Sequence, residues 1–310
     1  MFIEGETIDD LLRKSIEALQ AEGRHIEPSK GDALEAIGAT LRLANPLARF
    51  SRTEGRGVIS SAIGETLWYL SGSDDFDAIE YYIPRYRGFC ETPADVSKSE
   101  AAYGPRLKRQ LNLIIEKIKK NNTRKAVLSI YREEDHYNRY DVPCTCTIQF
   151  LPRSGFLHAV AQMRSNDVYK GMPHDIFAFT FLQEFLARSA GLQLGHYIHQ
   201  VGSFHLYYDD LGKAERYLKV GVADVVPMDA MPDGDPQPGL QWLLDMEKAL
   251  REKNAPPSAD GIQNYWLDLA NLLRVRPLRD AGDKDSLMEI QRSMQSAAFK
   301  TFIQDEIYKA

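Results

Sequence analysis

Residues 142–151 read VPCTCTIQFL, and residues 156–163 read FLHAVAQM. β-Branched and apolar side chains dominate both stretches, which predicts strands of a central sheet together with AVLSIY at residues 126–131. The next stretch, HDIFAFTFLQEFLARSA at residues 174–190, is apolar on most faces and stops at Gly191, the pattern of a buried helix. A sheet covered by helices is an α+β fold, and this is the fold class that we predict.

Helices are also predicted before this central region. Residues 8–22 and 29–43 carry apolar side chains at helical spacing, so two amphipathic helices are predicted at the start of the chain. VISSAIGETLWYLSG at residues 58–72 predicts a helix that Gly72 ends. Residues 106–122 predict a basic amphipathic helix. The sheet is therefore expected to have several helices around it.

One composition change marks a possible boundary near Pro227. The sequence there, PMDAMPDGDPQPG, is rich in proline and glycine, and three helical segments are predicted after it. We expect a main domain over residues 1–226 and a helical extension over residues 227–310 that packs on the same domain.

Composition limits the classes of partner. The 310 residues are 44% hydrophobic and 26% charged, enough to bury a substantial core. A formal charge of -6 gives no general attraction to polyphosphate, so nucleic acid is not an expected partner and any bound phosphate needs a local cluster of cations. The start of the chain does not resemble a secretion signal, and no apolar run is long enough to cross a membrane, so we expect a cytoplasmic protein.

The three cysteines, Cys90, Cys144 and Cys146, form no metal-type pair and cannot all pair within one chain, which favours a reducing compartment. Cys144 follows Pro143 at the start of a strand, where a thiol can lie at the mouth of a cleft; the alternative is a small buried apolar residue. Cys146 would face the same side of a strand. His196 and His199 lack a third ligand at a useful spacing, so we predict no metal site.

Several motifs in one order resemble the core of the thymidylate synthases. The VPC cysteine is followed by the Arg-Ser-x-Asp motif of MRSNDVYKGMPHDIFAFT (residues 163–180), a Gly-x-Pro turn, and the His-Leu-Tyr motif of GSFHLYY (residues 202–208). Upstream, FSRTEGRG, GETLWYLSG, AAYGPRL and NTRKAVLS resemble further family motifs. The resemblance covers roughly residues 45–210 and implies a catalytic domain of the thymidylate synthase type over residues 1–226.

The resemblance implies a role for each matching residue. Cys144 would attack carbon 6 of a pyrimidine, which makes carbon 5 a nucleophile toward the one-carbon unit of the co-substrate 5,10-methylenetetrahydrofolate. Nearby arginines, Arg164 above all, would lower the thiol pKa. Glu65 and Tyr103 would manage water and proton transfer. Asp167 would orient the pterin ring, with Gly171 also at the folate.

The phosphate and sugar of a pyrimidine nucleoside monophosphate are assigned in the same way. His205 and Tyr207 would bind the sugar. In the family, the pair that corresponds to Arg124 and Lys125 reaches across from the second subunit, so a homodimer is implied. The residues expected at the phosphate are Arg52, Arg124, Lys125, Arg164 and Ser165.

Asp175 stands where the thymidylate synthases carry an asparagine. An amide offers one donor and one acceptor, which match uracil, whereas a carboxylate offers acceptors only. A carboxyl group fits cytosine when it accepts a hydrogen bond from the amino group and shares a proton with N3. With uracil, O4 would face a carboxylate oxygen, and both are hydrogen-bond acceptors unless the acid is protonated. The mismatch costs about 1–3 kcal/mol, enough for about ten- to hundredfold discrimination. Asp175 therefore favours CMP or dCMP, as in the nucleotide hydroxymethylases.

Other departures concern the product. The chain ends in KTFIQDEIYKA rather than a short aliphatic tail, and EYYIPRYRGFC (residues 80–90) offers tyrosines where the family has a tryptophan. Both favour water as the final reactant, which gives a 5-hydroxymethyl product. Asn166, Ser203 and Lys125 also depart from the family, so ribose and deoxyribose both stay open. The alternatives are a thymidylate synthase that methylates dUMP, and a nucleotide-binding or interaction module without activity.

Overall fold

The computed structural model describes residues 1–51, 59–120, 122–220 and 226–310. The strands are β1 (Phe2–Gly5), β2 (Arg24–Ile26), β3 (Ala33–Leu43), β4 (Ala126–Ser129), β5 (Thr145–Arg153), β6 (Phe156–Asp167) and β7 (Gln193–Tyr207). The α-helices are α1 (Ile8–Glu22), α2 (Ile59–Ser71), α3 (Phe76–Glu80), α4 (Tyr86–Phe89), α5 (Tyr103–Lys108), α6 (Leu111–Ile118), α7 (Gly171–Ser189), α8 (Tyr208–Lys219), α9 (Gln237–Glu252), α10 (Asn264–Asp280), α11 (Lys284–Ser293) and α12 (Ala297–Lys309).

The strands form one mixed sheet with the order β1-β3-β7-β6-β5-β4, and β2 pairs with β3. β1 runs parallel to β3 and β6 runs parallel to β7, whereas the other neighbouring pairs are antiparallel. Helix α7 packs on β6 and β7 and contacts α2. The predicted α+β fold, the strands β4 to β6 and the buried helix after them are confirmed.

Hydrogen bonds between Thr7 and Asp10 fix the start of helix α1. The Thr7 side chain accepts from the backbone N–H of Asp10, and the Asp10 carboxylate accepts from the backbone N–H of Thr7, which is a capping box. Leu11, Leu12 and Ile16 are fully buried on one face of the helix. The predicted helix over residues 8–22 is therefore confirmed.

The predicted helix over residues 29–43 is wrong, because Ala33–Leu43 forms strand β3. Ala39, Leu41 and Leu43 are buried while the residues between them keep exposure, so this half alternates with period two. Pairing with β1, β2 and β7 satisfies the backbone on both edges of the strand. These tertiary partners outweigh the helical spacing of the apolar side chains.

The predicted helix over residues 106–122 is also corrected. The structure has two shorter helices there, α5 and α6, separated by Arg109 and Gln110. The Gln110 amide group exchanges two hydrogen bonds with the backbone of Ser129 at the end of β4, with lengths of 2.9 and 3.0 Å. The break in the helix therefore lets a side chain pair with the edge strand of the sheet.

The C-terminal part contains four helices, α9 to α12, where three were predicted. Helix α10 packs on α2, and the Ser60 hydroxyl donates to the carbonyl oxygen of Leu272 at 2.7 Å. On α9, Glu247 accepts from the Tyr82 hydroxyl at 3.1 Å. Among all the helices in the described ranges, none has the length and apolar character that crossing a bilayer requires.

The sheet face opposite α7 carries a row of polar side chains. The Thr147 hydroxyl donates to Gln162 at 3.0 Å, and the Gln162 amide donates to Gln200 at 3.3 Å, so the row crosses β5, β6 and β7. Both hydrogen bonds are exposed to solvent. Partly exposed apolar side chains, Val160 and Ile198, are also on these strands. This surface is therefore of mixed polarity.

Candidate active site

Cys144 lies in a bend immediately before β5, and β6 holds the backbone on both sides of it. The backbone N–H of Arg164 donates to the Cys144 carbonyl oxygen at 2.8 Å. The Arg164 guanidinium donates to the carbonyl oxygens of Pro143 at 2.9 Å and Val142 at 2.7 Å. The cysteine is thus fixed at the end of a strand, as predicted for the VPC segment.

The pKa of the Cys144 thiol is raised, chiefly because burial disfavours the thiolate. The positive charge of Arg164 lowers this pKa, as expected from the sequence, and Lys30 acts in the same direction. The negative charges of Asp175 and Asp141 raise it further. Burial outweighs Arg164, so the thiol of the nucleotide-free protein is mainly protonated at neutral pH.

Cys146 has different surroundings, although it is only two residues away. It sits at a bulge of β5, where the pairing with β6 shifts between Thr145 and Thr147. Burial raises the pKa of the Cys146 thiol and Arg164 lowers it, without a contribution from Asp175. The charge of Asp175 acts on the pKa of Cys144, so Cys144 stays the proposed nucleophile.

Tyr69 links Glu65 and Tyr103, because it contacts both of them. The Tyr69 hydroxyl donates to Glu65 Oε1 at 2.8 Å, and the Tyr69 ring stacks on the Tyr103 ring with centroids 4.8 Å apart. The Tyr103 hydroxyl accepts from the backbone N–H of Thr145 at 3.1 Å. Because Thr145 follows Cys144 directly, this chain of contacts brings the Glu65 carboxyl group toward the cysteine.

Asp175 lies near the N-terminal end of α7, where Asn166 of β6 donates to its Oδ2 at 2.8 Å. Burial of the carboxyl group raises its pKa well above the ordinary value of 3.8, and the negative charge of Glu65 adds to this rise. Asp167 acts in the same direction, while the hydrogen bond from Asn166 lowers the pKa. Burial therefore favours the protonated form of Asp175.

Asp167 ends β6 and turns the chain into α7. Its two carboxylate oxygens accept from the backbone N–H groups of Tyr169 and Lys170, each at 3.0 Å. Burial raises the pKa of Asp167, and the neighbouring His205 lowers it. His205 is paired with Asp167 across β6 and β7, and its ring meets the Tyr207 ring edge-on at 4.8 Å.

The family model described as Thymidylate synthase matches residues 34–229, more than half of the chain. The chain belongs to the thymidylate synthase family. It is similar to the thymidylate synthases of Listeria monocytogenes and Listeria innocua, with 34% identity over 110 residues. The aligned stretch covers 35% of this chain and 35% of each relative, so the chain spans about a third of the length of these curated relatives.

Some residues expected at a family site are not joined to this cluster by the contacts of the described residues. Arg124 and Lys125 are exposed and directly precede β4, where the Arg124 carbonyl oxygen accepts from Gln149 at 3.0 Å. Ser165 is paired with Ser203 across β6 and β7. Arg52 lies outside the described residues.

Gly171 opens α7 beside the Asn166–Asp175 hydrogen bond. A Cβ atom at this position would come within 3.1 Å of Asn166 Nδ2 and 3.7 Å of Asp175 Oδ2. The Gly-x-Pro turn of the family therefore has a direct steric reason here, because a side chain would press on the amide that holds Asp175.

Sequence reasoning missed several groups around Cys144. Burial raises the pKa of the Cys90 thiol, and its hydrogen bond with Asp141 adds to this rise. Lys30 donates to the carbonyl oxygen of Phe89 at 2.6 Å. Tyr86 meets the Trp68 ring edge-on at 5.5 Å, and its pKa is raised by burial and then by Glu65. Lys30 is far from Cys144 in sequence, and Tyr86 is far from Glu65, so only the tertiary fold reveals the electrostatic effect of Lys30 on Cys144 and of Glu65 on Tyr86.

His199, which was considered as a metal ligand, takes part in other contacts. Its two ring nitrogens meet the Tyr197 hydroxyl at 2.7 Å and the Asn166 side-chain oxygen at 2.8 Å. Over the part of the chain that the structure describes, no three histidine, cysteine or acidic side chains gather as a metal site would require.

Proposed function

We propose that this protein is a folate-dependent one-carbon transferase that hydroxymethylates carbon 5 of a cytidine nucleotide, CMP or dCMP. The observation that carries this proposal is Asp175, an acid held near the N-terminal end of α7 within electrostatic reach of Cys144 and Glu65. Family membership supports the coarser reaction class, and Asp175 supports the choice of base.

In the proposed reaction, Cys144 Sγ forms a bond to carbon 6 of the base, and the electron pair displaced from the ring makes carbon 5 nucleophilic. A thiolate is the attacking form, so the positive charge of Arg164 favours this step. The folate supplies the one-carbon unit at the oxidation level of formaldehyde. Carbon 5 bonds to this unit and loses its proton, and tetrahydrofolate leaves, which gives an exocyclic methylene group on the base. Addition of water to that group with expulsion of Cys144 Sγ restores the ring.

Water as the final reactant is supported by the hydroxyl groups near Glu65. Tyr69 donates to Glu65, and Tyr86 supplies a phenol close enough for the Glu65 charge to raise its pKa. A tyrosine in this place offers water a hydrogen-bond partner that a purely apolar wall lacks. Addition of water to the exocyclic methylene group of the base gives the hydroxymethyl product.

The remaining ligand contacts follow the family assignments. Asp167 and Gly171, at the junction of β6 and α7, would meet the folate, and a buried carboxyl group fits the N–H donors of a pterin ring. His205 and Tyr207 would bind the sugar. Arg164, Ser165 and Arg52 would hold the phosphate, together with Arg124 and Lys125 from a second subunit.

The homodimer is proposed from the exposed sheet face. Partly exposed apolar side chains, Leu151, Val160 and Ile198, are interleaved there with the Thr147–Gln162–Gln200 row. A second copy can bury such a face with matched hydrogen bonds. Arg124 and Lys125 project at the edge of this sheet, so a dimer through this face can carry them toward the partner's site.

Two further expectations stay part of this proposal. Residues 227–310 are an extension of the catalytic domain, in keeping with the contact between α10 and α2. The three cysteines are free thiols, which fits the cytoplasm.

Product analysis tests the proposal. The purified chain is incubated with 5,10-methylenetetrahydrofolate and, separately, with CMP, dCMP and dUMP, and the nucleotides are weighed by mass spectrometry. The expected result is addition of CH₂O to a cytidine nucleotide. Asp175→Asn is the matched variant and should shift the preference toward dUMP by about ten- to hundredfold. Methylation of dUMP alone by the unaltered protein would instead establish the thymidylate synthase reaction that its relatives are named for.

A further inference from the structure

A buried chain of three hydrogen bonds ends on the carboxyl group of Asp175. The Tyr197 hydroxyl lies 2.7 Å from His199 Nδ1, His199 Nε2 lies 2.8 Å from Asn166 Oδ1, and Asn166 Nδ2 donates to Asp175 Oδ2 at 2.8 Å. Tyr197 and His199 have no exposed surface, and 5% of Asn166 is exposed. Water therefore has little access to replace any of these partners.

The direction of donation along the chain follows from what each group can do. When the amide nitrogen of Asn166 donates to Asp175, the amide oxygen faces His199 and can only accept. His199 must then carry its proton on Nε2, and its bare Nδ1 accepts from the Tyr197 hydroxyl. Burial lowers the pKa of His199 to about 3, so the ring is neutral and has only one N–H to give.

The direction of hydrogen-bond donation matters because a protonated carboxyl group can pair with either cytosine or uracil. Burial and the charge of Glu65 raise the pKa of Asp175 and so favour its protonated carboxyl group. With the hydroxyl at N3 and the carbonyl-type oxygen at position 4, the acid complements cytosine. With the two oxygens exchanged, it complements uracil. A protonated Asp175 therefore selects cytosine only if something fixes the place of its proton.

We propose that Tyr197, His199 and Asn166 are positioning residues that keep Asp175 Oδ2 an acceptor facing position 4 of the base, with the acid proton on Oδ1 facing N3. This inference rests on the proposed cytidine nucleotide substrate and says how the site recognises it. Asn166 donates to Oδ2, and a carbonyl-type oxygen accepts a hydrogen bond better than a hydroxyl oxygen does. Oδ2 keeps a second lone pair for the amino group of cytosine.

Nucleotide binding by the full chain, measured by calorimetry without folate, tests this role. Matched pairs of cytidine and uridine monophosphates are compared in both sugar forms. Asn166→Leu keeps a similar volume and removes both hydrogen bonds, so the preference for cytosine should fall by about tenfold. Tyr197→Phe should lower the preference in the same direction by less. Tyr217→Phe, which removes a buried tyrosine hydroxyl bonded to Asp9, is the control and should leave it unchanged.

A second measurement needs no ligand. ¹⁵N NMR of histidine-labelled protein reports which ring nitrogen carries the proton, and His199→Gln assigns the signal among the seven histidines. The expected tautomer is Nε2–H at neutral pH, and Tyr197→Phe should weaken that bias. An Nδ1–H tautomer would reverse the direction of the chain and overturn the proposal.

The outcomes separate this inference from the proposed function. If the unaltered protein prefers uridine nucleotides, the proposed substrate fails whatever the tautomer of His199. If it prefers cytidine nucleotides and the folded Asn166→Leu variant keeps the full preference, the substrate stands and the positioning role is contradicted.

Discussion

Arg164 and Pro143 are joined by a hydrogen bond of 2.9 Å, in which the guanidinium Nε donates to the carbonyl oxygen of the residue before Cys144. The same side chain lowers the pKa of the Cys144 thiol against the larger effect of burial. One arginine therefore both positions the proposed nucleophile and favours its charged form.

Removing this charge should slow the alkylation of Cys144. In Arg164→Gln, the pH midpoint of the reaction with iodoacetamide should move to higher pH, and the rate at pH 8 should fall several-fold, because less thiolate is present. Peptide mass spectrometry separates Cys144 from the other two cysteines. Arg164→Lys keeps a positive charge, so its pH midpoint should lie between those of the unaltered protein and Arg164→Gln. Arg153→Gln should not change the midpoint. An unchanged midpoint in Arg164→Gln would show that the charge does not act on the thiol.

The Asp175 carboxyl group should make the folded protein less stable as the pH rises. Above its ordinary pKa of 3.8 the carboxyl group ionises in the unfolded chain, whereas in the folded chain burial, Glu65 and Asp167 raise its pKa, so it keeps its proton to higher pH. The folded state then binds more protons, so its stability falls with increasing pH until the raised pKa is passed. Asp175→Asn cannot ionise and keeps an oxygen for Asn166, so its Tm should exceed that of the unaltered protein at pH 7.

The difference in Tm should shrink as the pH is lowered toward 4, where the two carboxyl states converge. Each kcal/mol corresponds to about 2 °C in a chain of this size. Differential scanning calorimetry across this range checks the sign. A difference that does not change with pH would mean that the carboxyl group is ionised in the folded protein.

Arg49 and Glu184 form an ion pair with almost no exposed surface, and Arg49 Nε also donates to the sulfur of Met228 at 3.3 Å, beyond Pro227. Glu184 Oε1 also accepts from the backbone N–H of Met231 at 2.6 Å. Arg49→Met leaves a buried carboxylate without its partner and should cost about 3–5 kcal/mol in unfolding free energy by urea denaturation.

The double variant Arg49→Met/Glu184→Gln is the control for this ion pair. It removes both charges and keeps an acceptor for Met231, so it should recover much of the loss. If it is no more stable than Arg49→Met, the loss comes from packing rather than from the unpaired charge.

The proposed crossing of Arg124 and Lys125 between subunits predicts complementation. The double variant Arg124→Ala/Lys125→Ala and the variant Cys144→Ser should each be nearly inactive alone. When co-expressed without selection, they should reach about one quarter of the unaltered activity, because half of the dimers are mixed and each mixed dimer has one complete site. Size-exclusion chromatography with light scattering confirms the dimer. No recovery in isolated mixed dimers would place both residues at their own subunit's site or at neither.

The parts of the fold that could be predicted are those whose signals are local. The strands that follow Cys144, the buried helix up to Gly191 and the helix that contains Glu65 all follow from composition and end signals within short stretches. Residues 33–43 could not be assigned correctly, because their strand conformation depends on β1 and β7 from distant parts of the chain.

The chain of hydrogen bonds on Asp175 lies beyond sequence reasoning for the same physical reason. Asn166 stood out only as a departure from the family, and His199 only as a rejected metal ligand. Strand register alone would not join them, since His199 is paired with Ala161 and Asn166 with Phe204. The contact between the His199 and Asn166 side chains depends on the three-dimensional path of β6 and β7 near the start of α7.

Release of tritium from carbon 5 tests the central claim most directly, because it requires both a nucleophile at carbon 6 and acceptance of the base. The protein is incubated with the folate co-substrate and with CMP, dCMP or dUMP labelled with ³H at carbon 5, in parallel with Cys144→Ser. The predicted result is release from a cytidine nucleotide by the unaltered protein and none by Cys144→Ser. Release from dUMP alone, or equal release by Cys144→Ser, would contradict the account.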